Sequence, residues 1–108
     1  MDTQFKKGIL ELIVLIYLEG DEKYGYQLNE EINKKIDTTE STIYALLKKL
    51  VLNDYCTTKL VQSSEGPARK YYAITDKGQE RKENLIGEWK QFISSVNEIL
   101  GEKVNDKR

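Results

Sequence analysis

The hydrophobic period of this chain changes near Leu52 and changes back near Thr75, and that double switch limits the folds open to it. Before Leu52, apolar residues recur at helical steps of three and four. From 55 to 75 the chain is rich in β-branched and aromatic residues around a polar loop, and beyond 76 the helical step returns. The expected order is three helices, a β-hairpin and a long last helix.

The first helix, from about 5 to 18, carries Ile9, Leu10, Ile13, Val14, Ile16 and Tyr17 on a face so broad that burial on more than one side is expected. Residues 19–23 read as a turn, with Gly20 at the helix end. A second helix is expected from Tyr24 or Tyr26 to Lys35, with Leu28 and Ile32 as its stripe and Ile36 just beyond. Gly25, between two tyrosines, is either a close-packing position or a flexible lead-in. The third helix opens on Thr38, Thr39, Ser41 and Thr42, whose hydroxyls suit the free N–H groups of a first turn. Ile43, Leu46, Leu47 and Leu50 form its apolar face; Ser41, Ala45 and Lys48 lie opposite, flanked by Tyr44 and Lys49. Short groups followed by cations suit a helix lying in a DNA groove. Taken alone, the stretch reads at least as well as an ordinary amphipathic helix with a solvated outer face.

Its neighbours change the balance. Asn53 and Asp54 form a turn pair, and strands at 55–61 and 68–75 flank the loop Gln62, Ser63, Ser64, Glu65, Gly66 and Pro67. Pairing them brings Lys59 toward Arg69 and Lys70. A basic hairpin directly behind a helix-turn-helix pattern makes a winged helix-turn-helix, so the fold class is mainly α with a small β-hairpin. In the last helix Leu85, Trp89, Phe92, Val96 and Ile99 follow at steps of 4, 3, 4 and 3, with Ile86, Ile93 and Leu100 alongside. That stripe is wider than one small domain needs, and a homodimer is expected through Leu85, Trp89, Phe92, Ile93, Val96, Ile99 and Leu100. The division is 1–76 as the DNA-binding domain and 77–108 as a C-terminal dimerisation helix with a tail expected to fray from Gly101.

Net charge is −1, which gives no bulk affinity for nucleic acid, but the distribution is uneven. Acids dominate from 9 to 40, whereas from 41 to 74 Lys48, Lys49, Lys59, Arg69 and Lys70 outweigh Asp54 and Glu65. With no histidine and Cys56 as the one cysteine, neither a zinc site nor a disulfide framework is expected. No carboxylate pair, nucleophile motif or phosphate-binding glycine loop is present, so neither catalysis nor a cofactor is expected. The longest apolar run, 12–18, is too short for a bilayer and the N-terminus lacks a signal layout, which points to the cytoplasm.

Tyr24-Gly25-Tyr26, then Ser41-Thr42-Ile43-Tyr44 with Leu47 and Leu50, then Gly66-Pro67-Ala68-Arg69-Lys70-Tyr71-Tyr72-Ala73-Ile74-Thr75 resemble the PadR family of bacterial transcriptional regulators. Gly78 and Trp89 fall where that family usually has a glycine and an aromatic, and the likeness spans about 8 to 100. The chain departs at Ser41 and Ala45, where family members often carry glycine or proline, and at Asp54, where a glycine usually turns into the wing. Asp can adopt the backbone required there. The resemblance implies a symmetric winged helix-turn-helix dimer joined by the terminal helix, a repressor that responds to small aromatic or drug-like molecules, in the short branch without a large effector domain.

The DNA-binding candidates are Ser41, Thr42, Tyr44, Lys48 and Lys49 on the third helix, and Lys59, Ser63, Ser64, Arg69 and Lys70 in the wing. Lys48 is placed for a base edge or a phosphate, Lys49 for a phosphate. Lys6 and Lys7 are further phosphate candidates. Tyr44 is either a core-edge tyrosine or a DNA contact. Arg69 either grips DNA or holds the hairpin by a salt bridge. Tyr71 and Tyr72 point to opposite strand faces, so one should be core. Trp89 is either a packing anchor or, with its symmetry mate, one wall of an aromatic effector site. The expected partners are a pseudo-palindromic double-stranded operator and a second copy, with a small aromatic effector implied by the resemblance and no membrane. The alternative is a winged-helix protein-interaction module.

Overall fold

The computed structural model describes the backbone of residues 3–106 and the side chains of 8–103, so Lys6 and Lys7 lie outside the described side chains. The elements are α1 (Thr3–Leu18), β1 (Lys23–Tyr24), α2 (Gly25–Asn33), α3 (Glu40–Leu52), β2 (Cys56–Val61), β3 (Arg69–Ile74) and α4 (Asp76–Asp106). The strands form one antiparallel sheet in the order β1-β3-β2. The fold is therefore a winged helix, mainly helical, with a third strand where the sequence pattern predicts a turn at Lys23 and the start of the second helix at Tyr24.

The core is where the helical stripes meet. Leu10, Val14, Leu15 and Leu18 of α1, Leu28 and Ile32 of α2, and Ile43, Leu46, Leu47 and Leu50 of α3 are buried together with Cys56 and Tyr72. Full burial of a Leu or Ile stabilises by about 2 kcal/mol, so this cluster carries much of the driving force. The broad face expected for α1 is displaced by part of a turn. Leu15 and Leu18 are inside, whereas Ile16 is 45% exposed, because only one face of α1 meets the other helices and the sheet.

Local chemistry sets the boundaries. Gly20 ends α1 with φ 77°, a backbone that suits glycine. Thr39 caps α3, its hydroxyl accepting from the Thr42 amide at 3.3 Å. At the other end Asp54 takes φ 63°, its amide donating to the Val51 carbonyl at 3.0 Å and that of Tyr55 to the Leu50 carbonyl at 2.9 Å. That pair of bonds closes a helix in the Schellman manner, with aspartate in the place glycine usually takes.

Thr75 then starts α4. Its hydroxyl donates to the Asp54 carbonyl at 2.6 Å and accepts from the Gly78 amide at 2.9 Å, tying the new helix to the turn that ended α3. The first turns of α4 meet α1 and its end through two ion pairs, each with one buried member: Arg81 with the buried Glu11 at 3.2 Å, and the buried Lys82 with Glu19. Leu85, Trp89 and Phe92 still face Ile9 and Leu12 of α1, and the helix continues to Asp106. The molecule measures 64 × 27 × 21 Å with a radius of gyration of 17.0 Å, against about 13 Å for a compact chain of this length. The helix also passes through Gly101 to Asp106 instead of fraying there. One glycine costs a helix only about 1 kcal/mol, and Lys103 in the last turn complements the helix dipole.

Candidate nucleic-acid interface

The outward face of α3 presents Ser41, Tyr44, Ala45, Lys48 and Lys49 to solvent, while the apolar face anchors the helix in the core. Lys48 and Lys49 make no ion pair among the described residues, so both ammonium groups stand free for an anion. Thr42 is half-buried, its hydroxyl accepts from that of Thr39 at 3.1 Å, and its amide donates to the Thr39 hydroxyl in the cap. Tyr44 is 43% exposed, with its ring against the backbone of Gly25. A Cβ at Gly25 would fall among the Tyr44 ring carbons, which makes Gly25 a close-packing position and not a flexible lead-in. Tyr44 is thus both a packed ring and an exposed one.

The wing is sorted by strand alternation. Thr58 opposes Tyr72, Leu60 opposes Lys70, Lys59 opposes Tyr71, and Val61 opposes Arg69. Directly opposed residues share a face. Tyr72 is buried and marks the face that packs on the helices; Lys70 and Leu60 lie on that face nearer the tip, and both are exposed. Lys59 and Arg69 are on the other face, where each already has a partner. Lys59 Nζ sits 3.0 Å from Glu22 Oε1, and the Arg69 guanidinium lies 4.8 Å over the ring of Tyr24. Tyr24 in turn contacts Tyr71, with ring centroids 5.3 Å apart. Among the described residues Arg69 makes no salt bridge; the group it meets is the Tyr24 ring. In the loop, the half-buried Ser63 accepts from the Glu65 amide at 3.3 Å, while Ser64 is exposed. Lys70 makes no ion pair among the described residues.

Beside the wing, Lys23 is buried with its ammonium 3.2 Å from Asp21 and 3.3 Å from Glu31. Burial alone would lower its pKa, but the hydrogen bonds and charges of the two carboxylates outweigh it and hold the pKa above the usual lysine value. Cys56 is buried between sheet and helices, and burial pushes its thiol up to about 11, which leaves it a core residue and not a nucleophile. The contacts of Glu22 with Lys59 and of Tyr24 with Arg69 are not legible in the sequence: Tyr24 stands out there only within the Tyr24-Gly25-Tyr26 block, and a two-residue strand has no alternation to detect.

Two concavities flank α1. One, of about 460 Å³, opens between α1 and α3 and is lined by Glu11, Ser41, Ala45 and Lys49 among others. The other, of about 430 Å³, lies between α1 and α4 and is walled by Ile9, Leu12, Leu85, Trp89 and Phe92. Trp89 and Phe92 contact at 6.2 Å between centroids and are 36% and 50% exposed. Further along α4, Ile93 and Val96 are half-buried, while Ile99 and Leu100 are 55% and 57% exposed. Among the described residues, no helix is long and apolar enough to cross a membrane.

The model of the PadR-like family of transcriptional regulators matches residues 14–84. The crystal structure of a PadR-like transcriptional regulator from Bacillus cereus is 38% identical, with a TM-score of 0.80 over 91% of this chain and 97% of that one. A transcriptional regulator from Streptococcus is 35% identical, with a TM-score of 0.81 over 91% of this chain and 98% of that one. A protein of Lysinibacillus sphaericus is 30% identical over 98 residues, covering 87% of this chain and 86% of the relative.

Proposed function

The chain belongs to the PadR-like family of transcriptional regulators, and on that premise we propose that it is a sequence-specific DNA-binding repressor acting as a cytoplasmic homodimer. The family is one of regulators and not of enzymes, in keeping with the missing catalytic motifs. The observation that carries this function is the outward face of α3, small at Ser41 and Ala45 and cationic at Lys48 and Lys49, beside a wing whose Lys70 lies on the helix-facing side of the sheet. Ser41 and Tyr44 face the groove, Thr42 steadies the cap, Lys48 and Lys49 meet phosphate or a base edge, and Ser63, Ser64 and Lys70 bring the wing to the flanking backbone. Residues 1–76 form the reading unit, and 77–108 the part whose helix joins two copies. The exposed apolar stripe of α4 supports dimerisation, since monomers rarely leave so many large apolar side chains uncovered along one face. Two copies would read half-sites about one helical turn apart on a pseudo-palindromic duplex.

Selection from a random duplex pool tests the reading. The protein is expected to enrich one pseudo-palindrome and to bind it at least about 10³-fold more tightly than a scrambled duplex at moderate salt. Equal binding to both would sink the regulator claim and leave the fold as a protein-interaction module.

The groove beside Trp89 supports regulation by a flat aromatic effector. Trp89 is the only tryptophan, so its fluorescence reports the site directly. Quenching or a spectral shift is expected from at least one member of a panel of planar aromatic cations and phenolic acids. Unchanged emission throughout would remove the effector from this position without touching DNA binding.

A further inference from the structure

Glu22, Lys23, Tyr24 and Gly25 are consecutive, and each meets a different part of the molecule. Glu22 pairs with Lys59 on β2 at 3.0 Å. Lys23, buried, reaches Glu31 on α2 at 3.3 Å. The ring of Tyr24 lies under Arg69 at 4.8 Å and against Tyr71 at 5.3 Å, both on β3. Gly25 leaves the space that the Tyr44 ring of α3 occupies. One short stretch therefore touches both wing strands, the first helix of the helix-turn-helix and the exposed face of the reading helix.

We propose that Glu22–Gly25 is a positioning junction that fixes the wing against the reading helix, and that Lys59 and Arg69 serve this junction as positioning residues and not as phosphate contacts. The inference rests on the DNA-reading function proposed above and assigns its wing contacts more narrowly. β1 has only two residues and pairs with β3 through Lys23 with Tyr72 and Tyr24 with Tyr71. So short a ladder holds a hairpin weakly, and the side chains around it must supply the remainder. The outer sheet face does this with one exposed ion pair and with the Tyr24 ring, which lies under Arg69 and packs at 58° against Tyr71. A lysine held by a carboxylate neutralises a phosphate only by giving up that pair, so it displaces few of the cations condensed on DNA. A wing held in place before DNA arrives also loses less freedom on binding. On this account the wing's electrostatic contact is Lys70, on the opposite face.

The full-length protein is tested in two arms. Without DNA, hydrogen exchange is followed in Tyr24→Ala and Glu22→Gln. In both, the amides of β2 and β3 toward the loop are expected to exchange faster, in Tyr24→Ala by about tenfold, while those of α1 and α3 hold their rates and report an intact core. Unchanged wing exchange in Tyr24→Ala overturns the junction. Thermal melts accompany this arm: Gly25→Ala lowers Tm in the wild type but not in Tyr44→Ala, and an equal fall in both backgrounds removes Gly25 from the proposal. With the duplex selected by the wild type, Lys70→Gln is expected to lower the salt slope by about 1 per subunit, whereas Lys59→Gln and Arg69→Gln leave it unchanged and weaken binding only a few-fold. Arg69→Gln should add nothing in the Tyr24→Ala background. A fall of about 1 per subunit for Lys59→Gln or Arg69→Gln makes that residue a phosphate contact and overturns its assignment. Should no duplex be selected at all, the DNA reading fails, and the exchange arm still decides whether the junction holds the wing.

Discussion

Replacing Gly78 by alanine is expected to destabilise the protein by about 3 kcal/mol, a fall of roughly 10–20 °C in Tm. A Cβ at this position would overlap the carbonyl oxygen of Tyr55 and come within 2.8 Å of Ile74 Cγ1. The first of these is backbone and cannot swing aside. The same carbonyl accepts from the Thr75 amide at 3.0 Å, and the Thr75 hydroxyl holds both the Asp54 carbonyl and the Gly78 amide. Relief of the clash therefore requires α4 to lift from the turn after α3 and to break the cap that starts it. Gly87→Ala is the control, because nothing lies within 4 Å of its Cβ position; it is expected to be neutral or to stabilise by up to about 1 kcal/mol. Thermal melts of the two variants decide. Equal melting temperatures would show that the contact between α4 and the Tyr55 turn yields without cost.

The second large effect concerns DNA. The double variant Lys48→Ala/Lys49→Ala is expected to bind the selected duplex about 100-fold less tightly near 0.15 M salt, with the log–log salt slope reduced by about 4 per dimer. Each subunit loses two cations, and each phosphate contact accounts for nearly one unit of slope. Stability should stay within about 0.5 kcal/mol, because both side chains are exposed and unpaired among the described residues. The single variants separate the roles. Lys49→Ala is expected to weaken all duplexes alike, while Lys48→Ala also alters which base is preferred near the centre of the half-site. Retention of wild-type affinity by the double variant would mean that this face of α3 meets something other than DNA.

The parts of the fold legible in the sequence are those set by near neighbours in the chain. Ile43, Leu46, Leu47 and Leu50 recur at helical spacing, and all four are buried. The Thr39 cap and the left-handed Asp54 follow from the chemistry of single residues beside a helix end. Other features depend on distant partners. The displacement of α1's buried face toward Leu15 and Leu18 follows from where the other helices and the sheet meet it. β1 exists only because β3 is there to pair with it.

The same division runs through the candidate interface. Residue type and local period by themselves determined that α3 shows a small, cationic face, that a hairpin with basic residues follows, and that α4 carries an apolar stripe beyond its own core. Charge and periodicity are properties of the chain, and no partner is needed to read them. Tertiary structure alone decided what each cation meets within the chain. Lys48, Lys49, Lys59, Arg69 and Lys70 are equivalent as a count of positive charges. Strand register sends Lys59 and Arg69 to one face and Lys70 to the other, and folding places Glu22 and Tyr24 within reach of the first two only. A charge's worth to a ligand depends on what already engages it, a carboxylate for Lys59 and a neutral ring for Arg69, and those contacts join residues far apart in sequence.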